Sequence, residues 1–220
     1  MGKGTLIVID GIDGSGKSTQ IELLKKYYAR KATPFEAISF PRYGQNVYAD
    51  LVKRYLEGEF GNINDINPYL ISLAYAGDRM LAKPLIEEWL KSGKVVIANR
   101  YVSSNKAHQG ANLSFKEREK FIKWVDELEY KTNGLPKEDL TILLDVNPTI
   151  GQQNVQSRDI ADLLENDLNH LIKANKIYLE LVKKEKNWVV VNCMGNGKMR
   201  SIEQIHKEIL EILNGQIFRD

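Results

Sequence analysis

Residues 5–19 read TLIVIDGIDGSGKST: a short apolar run closes on Asp10, enters a glycine-rich turn and leaves it through Lys17-Ser18-Thr19. The run is too short for a helix and is bounded by glycine, so it reads as a buried strand; Ile21, Leu24 and Tyr28 then recur at helical spacing, so residues 17–30 read as a helix. A strand passed directly into a helix implies a helix that packs back on its own sheet, and such crossovers join parallel strands. No other stretch limits the fold class so strongly.

The rest of the chain repeats this alternation. Strands are expected over 35–40, 94–98, 140–145 and 188–191, and helices over 17–30, 47–57, 67–90, 114–130, 147–187 and 201–213. Pro84 falls inside the fourth stretch's predecessor, 67–90, and predicts a kink or a break into two helices. The stripe over 147–187 lapses near 157–162. No repeat, low-complexity tract or linker divides the chain, so residues 1–220 read as one α/β domain with a mobile insertion, large enough to bury a core.

Composition removes several classes of function. The net charge of +2, from 31 basic and 29 acidic residues, gives no general case for nucleic-acid or membrane binding, so anionic partners have to be argued from particular basic residues. One cysteine, Cys193, excludes an internal disulfide framework and fits a reducing compartment. No stretch approaches the length of a membrane span and the start lacks a signal-peptide pattern, so a cytoplasmic protein is expected.

Gly11 to Ser18 satisfy G-x-x-x-x-G-K-[ST] between strand and helix, the context that gives the pattern meaning; a chance match somewhere in such a chain is about one in a hundred. Glycines let backbone N–H groups converge on phosphate oxygens at a positive helix end. The motif gives Gly11, Gly14, Ser15, Gly16, Lys17, Ser18 and Thr19 to the phosphates of a nucleoside triphosphate, with Lys17 reaching the β- and γ-phosphates and Ser18 ligating Mg²⁺; the loop alone leaves GTPases, ATPases and small-molecule kinases open. The guanine-reading sequence Asn-Lys-x-Asp is not matched, because Asn105-Lys106-Ala107-His108 lacks the aspartate, and a GTPase is disfavoured. The strand 94–98 runs into Asn99 and not an acidic residue, which disfavours a motor or helicase ATPase.

Two arginines follow strands, in Phe40-Pro41-Arg42 and Asn99-Arg100-Tyr101, at the carboxyl edge where doubly wound sheets bind ligands. Arginine's planar fork suits phosphate oxygens, so a second phosphorylated substrate facing the loop is predicted. In Tyr75-Ala-Gly-Asp78-Arg79, Tyr75 and Arg79 share a helix face, suited to stacking on a flat base and bonding its edge; the alternative is a core aromatic. Leu70, Leu73, Gly77 and Leu81 form a separate apolar stripe.

The chain resembles the thymidylate kinases, which transfer the ATP γ-phosphate to dTMP. The resemblance rests on GIDGSGKSTQ, FPR, YAGDR, NRYVSSNKAHQG and the segment opening at Asp145 (DVNP), in the family's order over nearly the whole chain. It implies a P-loop NTP hydrolase-like fold of the nucleoside monophosphate kinase type, a parallel sheet flanked by helices with a short helical lid at about 150–166. It implies that the triphosphate at the loop is ATP, that Arg42 and Arg100 bind the dTMP phosphate beside Phe40, that Tyr75 stacks on thymine and that Arg79 bonds its carbonyl edge. Asp13 would help place the acceptor, Asn105 and Gln109 would lie near the nucleoside, and the subunits would form a homodimer through the long helices.

Three departures accompany the resemblance. Asn99 stands where the family usually has Asp; His108 stands where it tends to carry Tyr or Phe near the sugar. The family's transition-state arginine sits in the phosphate loop or the lid, and the loop position here is Gly14. The single arginine between Thr141 and Met199 is Arg158, to which the resemblance therefore gives that role, alongside Lys17, Asp13 and Arg100. The alternatives are a nucleotide-binding paralogue with weak or no catalysis, or a kinase for another nucleoside monophosphate.

Overall fold

A computed structural model of the protein describes residues 3–63, 65–156, 163–165 and 167–216. Strands β1 (Thr5–Asp10), β2 (Phe35–Ser39), β3 (Val95–Asn99), β4 (Leu140–Asp145) and β5 (Trp188–Asn192) make one parallel sheet in the order β2-β3-β1-β4-β5. Around it lie α1 (Lys17–Arg30), α2 (Val47–Leu56), α3 (Pro68–Lys91), α4 (Val102–His108), α5 (Phe115–Asp126), α6 (Pro148–Gln156), α7 (Leu168–Val182) and α8 (Ile202–Gln216). The chain moves from β1 to one side of the sheet and later to the other, so a crevice opens beyond the carboxyl end of β1.

The side-chain period of two sorts β1 between two cores. Ile7 and Ile9 enter a cluster with Leu24 of α1, Ile177 of α7 and Ile209 of α8. Leu6 and Val8 enter the other, with Ala82 and Ile86 of α3 and Phe121 and Val125 of α5. Both faces are covered, which is why the strand reads as a continuous apolar run and not as an alternating one.

Most expected elements fall within a residue or two of their observed limits; among the described residues the stretch expected over 147–187 is two helices, α6 and α7, the second ending at Val182, and four further differences stand beside it. The break at Pro84 does not occur: α3 runs for 24 residues through it. Pro84 is exposed on this chain, so the carbonyl that the missing N–H leaves free is not sealed in the core. The helix expected over 114–130 stops at Asp126 and widens into a π-helical turn, Glu127–Thr132, which carries the fully buried Glu129 inward. Between β3 and α5 stand α4 and a 3-10 turn, Gln109–Asn112; all seven residues of α4 are buried, most of them polar, so no apolar stripe announced it. A small hairpin of β6 (Met194–Gly195) and β7 (Lys198–Met199) forms where the sequence showed only a turn.

Candidate active site

The turn after β1 depends on backbone geometry that glycine supplies. Gly14 has φ +74°, and a Cβ there would lie 1.9 Å from the carbonyl oxygen of Gly151 in α6. Gly151 is needed in turn, because its own Cβ would meet the Asp13 oxygen at 2.7 Å. Loop and α6 thus touch backbone to backbone, and Asn154 Nδ2 donates to the Gly14 carbonyl at 2.9 Å. With α6 in this place, position 14 has no room for an arginine side chain. Gly16 is the N-cap of helix α1 and supplies no side-chain hydrogen bond, leaving the first N–H groups of the helix to the turn. Lys17 Nζ donates to the carbonyls of Gly11 at 2.9 Å and Ile12 at 2.8 Å. Burial, then the charge of Arg100, lower the Lys17 ammonium to about 8, with Asp13 and Asp10 opposing.

Across the turn, Arg100 follows β3 in the left-handed region, with φ +63°. Its guanidinium forms an ion pair with Asp13 and donates to His108 Nε2 at 2.9 Å. Burial disfavours the Asp13 carboxylate, but Arg100 and then Lys17 outweigh it and hold the group well below the usual carboxylate range. Burial likewise opposes the charge on Arg100, and Asp13 restores it. The loop and the edge of β3 are therefore joined by a partly buried pair in which both charges persist.

Behind the loop, Asp10 is fully buried and accepts from Gly11 N (2.9 Å), Ser103 Oγ (2.5 Å), Ser104 Oγ (2.9 Å) and Tyr178 Oη (2.7 Å). One carboxylate thereby ties β1 to α4 and α7. A charge at zero exposure is tolerable only with such a complement of donors.

A cavity of about 330 Å³ separates the loop from the arginine edge. Asp13, Gly14, Gly16, Lys17 and Ser18 line one wall; Phe40, Tyr75, Arg100, Asn105, His108 and Gln109 line the other, joined by Leu56, Leu164 and Glu165. Of the residues assigned to ATP from sequence, Gly11, Ser15 and Thr19 do not line it. Gly11 is committed to packing, since a Cβ there would lie 2.6 Å from the Leu144 oxygen; Ser15 is buried; Thr19 is exposed.

The segment Tyr75 to Arg79 divides its work differently from the expectation. Tyr75 reaches the cavity. Gly77 lets Tyr48 of α2 approach, a Cβ there falling 2.5 Å from its ring. Asp78 accepts from the Arg42 backbone N (2.8 Å), Arg42 Nε (2.7 Å) and Asn46 Nδ2 (2.7 Å). Arg79 is 1% exposed and lies off the cavity wall; its Nε and Nη2 donate to Glu129 Oε1, and Nη2 also donates to Asn105 Oδ1 at 2.8 Å. Arg79 therefore stands behind Asn105, hydrogen-bonded to the residue that lines the cavity. Arg42 is likewise drawn to Asp78 and off the wall, although Phe40 and Pro41 before it line the cavity. Arg158 lies outside the described residues.

Several cavity and support residues were not singled out by the sequence, although Leu164 and Glu165 fall within the lid expected at about 150–166. Leu164 and Glu165 face the cavity, and Leu164 is buried with Val52, Tyr55 and Leu56 of α2. Glu129, His170 and Tyr178 stand 50, 62 and 74 residues from the partners they bond. Ser104 lies within NRYVSSNKAHQG but has no distinguishing spacing.

A glycine turn at a helix start, faced across a cavity by an arginine at the carboxyl edge of a parallel sheet, defines a P-loop phosphotransferase. The thymidylate kinase family pattern matches residues 9–209. The chain is 32% identical to the thymidylate kinase of Mycobacterium tuberculosis, over 86% of this chain and 91% of that one. It is 36% identical to a probable thymidylate kinase of Pyrobaculum aerophilum, over 94% and 95%. A solved thymidylate kinase from Candida albicans shares the fold, with a TM-score of 0.76 at 23% identity, covering 97% of this chain and 92% of the other. The chain belongs to the thymidylate kinase family.

Proposed function

We propose that the protein transfers the γ-phosphoryl group of ATP to dTMP, giving dTDP and ADP in dTTP synthesis. The observation that carries this reading is the cavity itself, with the phosphate loop on one wall and Arg100, Tyr75 and Asn105 on the other. Phosphoryl transfer needs little covalent help from the protein; it needs the two phosphates held in line and the developing charge matched by cations. In this reading Lys17 and the N–H groups of α1 hold the ATP phosphates, Arg100 takes the acceptor phosphate, and Asp13 fixes Arg100 from the loop side. Tyr75 and Phe40 bound the base and sugar, Asn105 and Gln109 supply polar contacts, and Arg79 acts through Asn105. Arg42, fixed by Asp78, flanks the acceptor. Arg158 meets the transition state from a lid at about 150–166.

The donors present suit Mg²⁺, which prefers oxygen ligands and retains several waters. Ser18 supplies a hydroxyl at the loop, and Asn99 Oδ1 is buried beside the cavity with no hydrogen-bond partner among the described residues. When bound, the ion would neutralise charge shared by the β- and γ-phosphates. Asn99 gives it a neutral oxygen where a carboxylate would give a charged one.

A homodimer in the cytoplasm completes the reading. Leu70, Leu73, Leu81 and Leu85 of α3 are 40–66% exposed in line, and Val47 and Leu51 of α2 extend the stripe. Of the stripe noted in the sequence, Gly77 is buried against Tyr48 but Leu70, Leu73 and Leu81 are exposed, so a second subunit is the surface that would cover them. No helix among the described residues is long and apolar enough to cross a membrane. Burial raises the Cys193 thiol to about 12, consistent with a packing role.

The test follows ADP release with ATP and Mg²⁺ against dTMP, dUMP, dCMP, UMP and GMP in turn. Turnover with dTMP well above the others supports the reading. Preference for another monophosphate reassigns the substrate, and tight ATP binding without turnover establishes a non-catalytic paralogue.

A further inference from the structure

The buried pair His108 and His170 has a direction that hydrogen-bond chemistry alone supplies. Guanidinium groups only donate, so His108 Nε2, 2.9 Å from Arg100 Nη1, has to accept. His108 then carries its proton on Nδ1, which lies 3.2 Å from His170 Nε2, so that atom accepts in turn. His170 is left with its proton on Nδ1, and this atom is buried without a partner among the described residues. The rings lie 5.5 Å apart with planes inclined by 31°. Both imidazoles are neutral in this arrangement, since a proton on His108 Nε2 would face a guanidinium.

We propose that His170 is a positioning residue that acts through His108 to set the orientation of Arg100. The proposal rests on the reading that Arg100 binds the acceptor phosphate. Arg100 has two side-chain anchors of different kinds, the Asp13 carboxylate and the His108 imidazole. A second carboxylate would fix the fork equally well but would cancel more of its charge. A neutral imidazole fixes it and leaves the charge, and the remaining N–H donors, to a phosphate. An aromatic ring such as Phe at position 108 has no atom that accepts from the guanidinium. His170 gives His108 its direction: without an acceptor at Nδ1, the opposite tautomer would place donor against donor at Arg100.

The groups facing this pair come from four elements. Arg100 and Asp13 approach from the β3 edge and the loop, Lys17 from α1, the Tyr178 ring from α7 at 5.9 Å, and Asp167 and Lys173 lie beside His170. Burial, then Arg100, push His108 well below the usual histidine range, and burial lowers His170 to about 4 despite Asp167. The His170 backbone N–H is bonded to Asp167 Oδ1 at 3.1 Å, so a changed side chain leaves that helix cap intact.

The experiment has two arms. Two-bond ¹H–¹⁵N NMR of the full chain reads the tautomers directly: a bare Nε2 and a protonated Nδ1 on His108 are expected, and a protonated Nε2 overturns the proposal. In the second arm, His170→Phe is expected to raise the Kd and KM for dTMP about tenfold, the loss of one charge-linked hydrogen bond, with the KM for ATP changed less than twofold. His170→Gln, which restores an acceptor near the same point, is expected to recover most of that loss. Unchanged dTMP affinity in His170→Phe, or equal losses in Phe and Gln, overturns the proposal. The NMR arm requires no turnover and no variant. A bare Nε2 with no dTMP turnover therefore rejects the functional reading and keeps the relay, while dTMP turnover with a protonated Nε2 does the reverse.

Discussion

The Arg79–Glu129 pair provides the sharpest stability test. Both side chains are 1% exposed, and Glu129 Oε1 receives two of the guanidinium's bonds while Oε2 has no partner among the described residues. Replacing Glu129 with Leu strands a buried cation on two neutral acceptors, Asn105 Oδ1 and the Tyr101 carbonyl at 3.3 Å. Breaking a buried pair in this way costs about 3–5 kcal/mol, which for a chain of this size lowers Tm by roughly 6–20 °C. Replacing both residues, Arg79→Met with Glu129→Leu, removes both desolvated charges and the unmatched oxygen but leaves Asn105 Oδ1 without its donor, and should recover most of the loss, to within about 1–3 kcal/mol of the starting protein. Urea unfolding followed by circular dichroism measures all four corners of the cycle. The double variant should also show a higher KM for dTMP, because Asn105 loses the donor that fixes its amide. A Glu129→Leu cost below about 1 kcal/mol, or a double variant as unstable as the sum of the singles, would refute the reasoning.

Four further outcomes follow from the site. Lys17 is lowered to about 8 from an ordinary 10.5, so the unfolded chain holds more protons between these values and this group's contribution to stability rises with pH across that window; its apo titration predicts net proton uptake when ATP binds near pH 8, measured by calorimetry in buffers of different ionisation enthalpy. Gly14→Arg places a side chain 1.9 Å from a backbone oxygen and should weaken ATP binding at least tenfold, by roughly 1.4 kcal/mol or more, as read by ATP titration; an active variant would show that α6 can retreat. Asn99→Asp should raise kcat and lower the Mg²⁺ concentration for half-maximal rate, and unchanged Mg²⁺ dependence counts against a place for Asn99 near the ion. Arg158→Ala should lower kcat by about 10³-fold if it serves as the arginine finger, and near-normal kcat removes that role.

The fold was largely legible because it depends on local patterning. A short apolar run, a glycine turn and an amphipathic stripe are set by neighbours within a few residues, and β1, α1 and β4 follow the sequence residue for residue. Helix α4 escaped because most of what it buries is polar, Ser103, Ser104, Asn105, Lys106 and His108, so no apolar stripe gives it a period. Pro84 misled because the cost of a proline depends on whether its freed carbonyl is sealed in the core, a property of the packed helix.

The sequence by itself determined the phosphate loop, the parallel sheet and which strand ends carry arginine, since each is written in contiguous residues. Only the tertiary structure decided what those residues face. It put Arg79 on Glu129 and Arg42 on Asp78, closed Gly14 against Gly151, and joined His170 through His108 to Arg100. The reason is physical: a buried guanidinium or imidazole takes whatever partner the packed chain brings within about 3 Å, and no spacing along the sequence encodes that meeting.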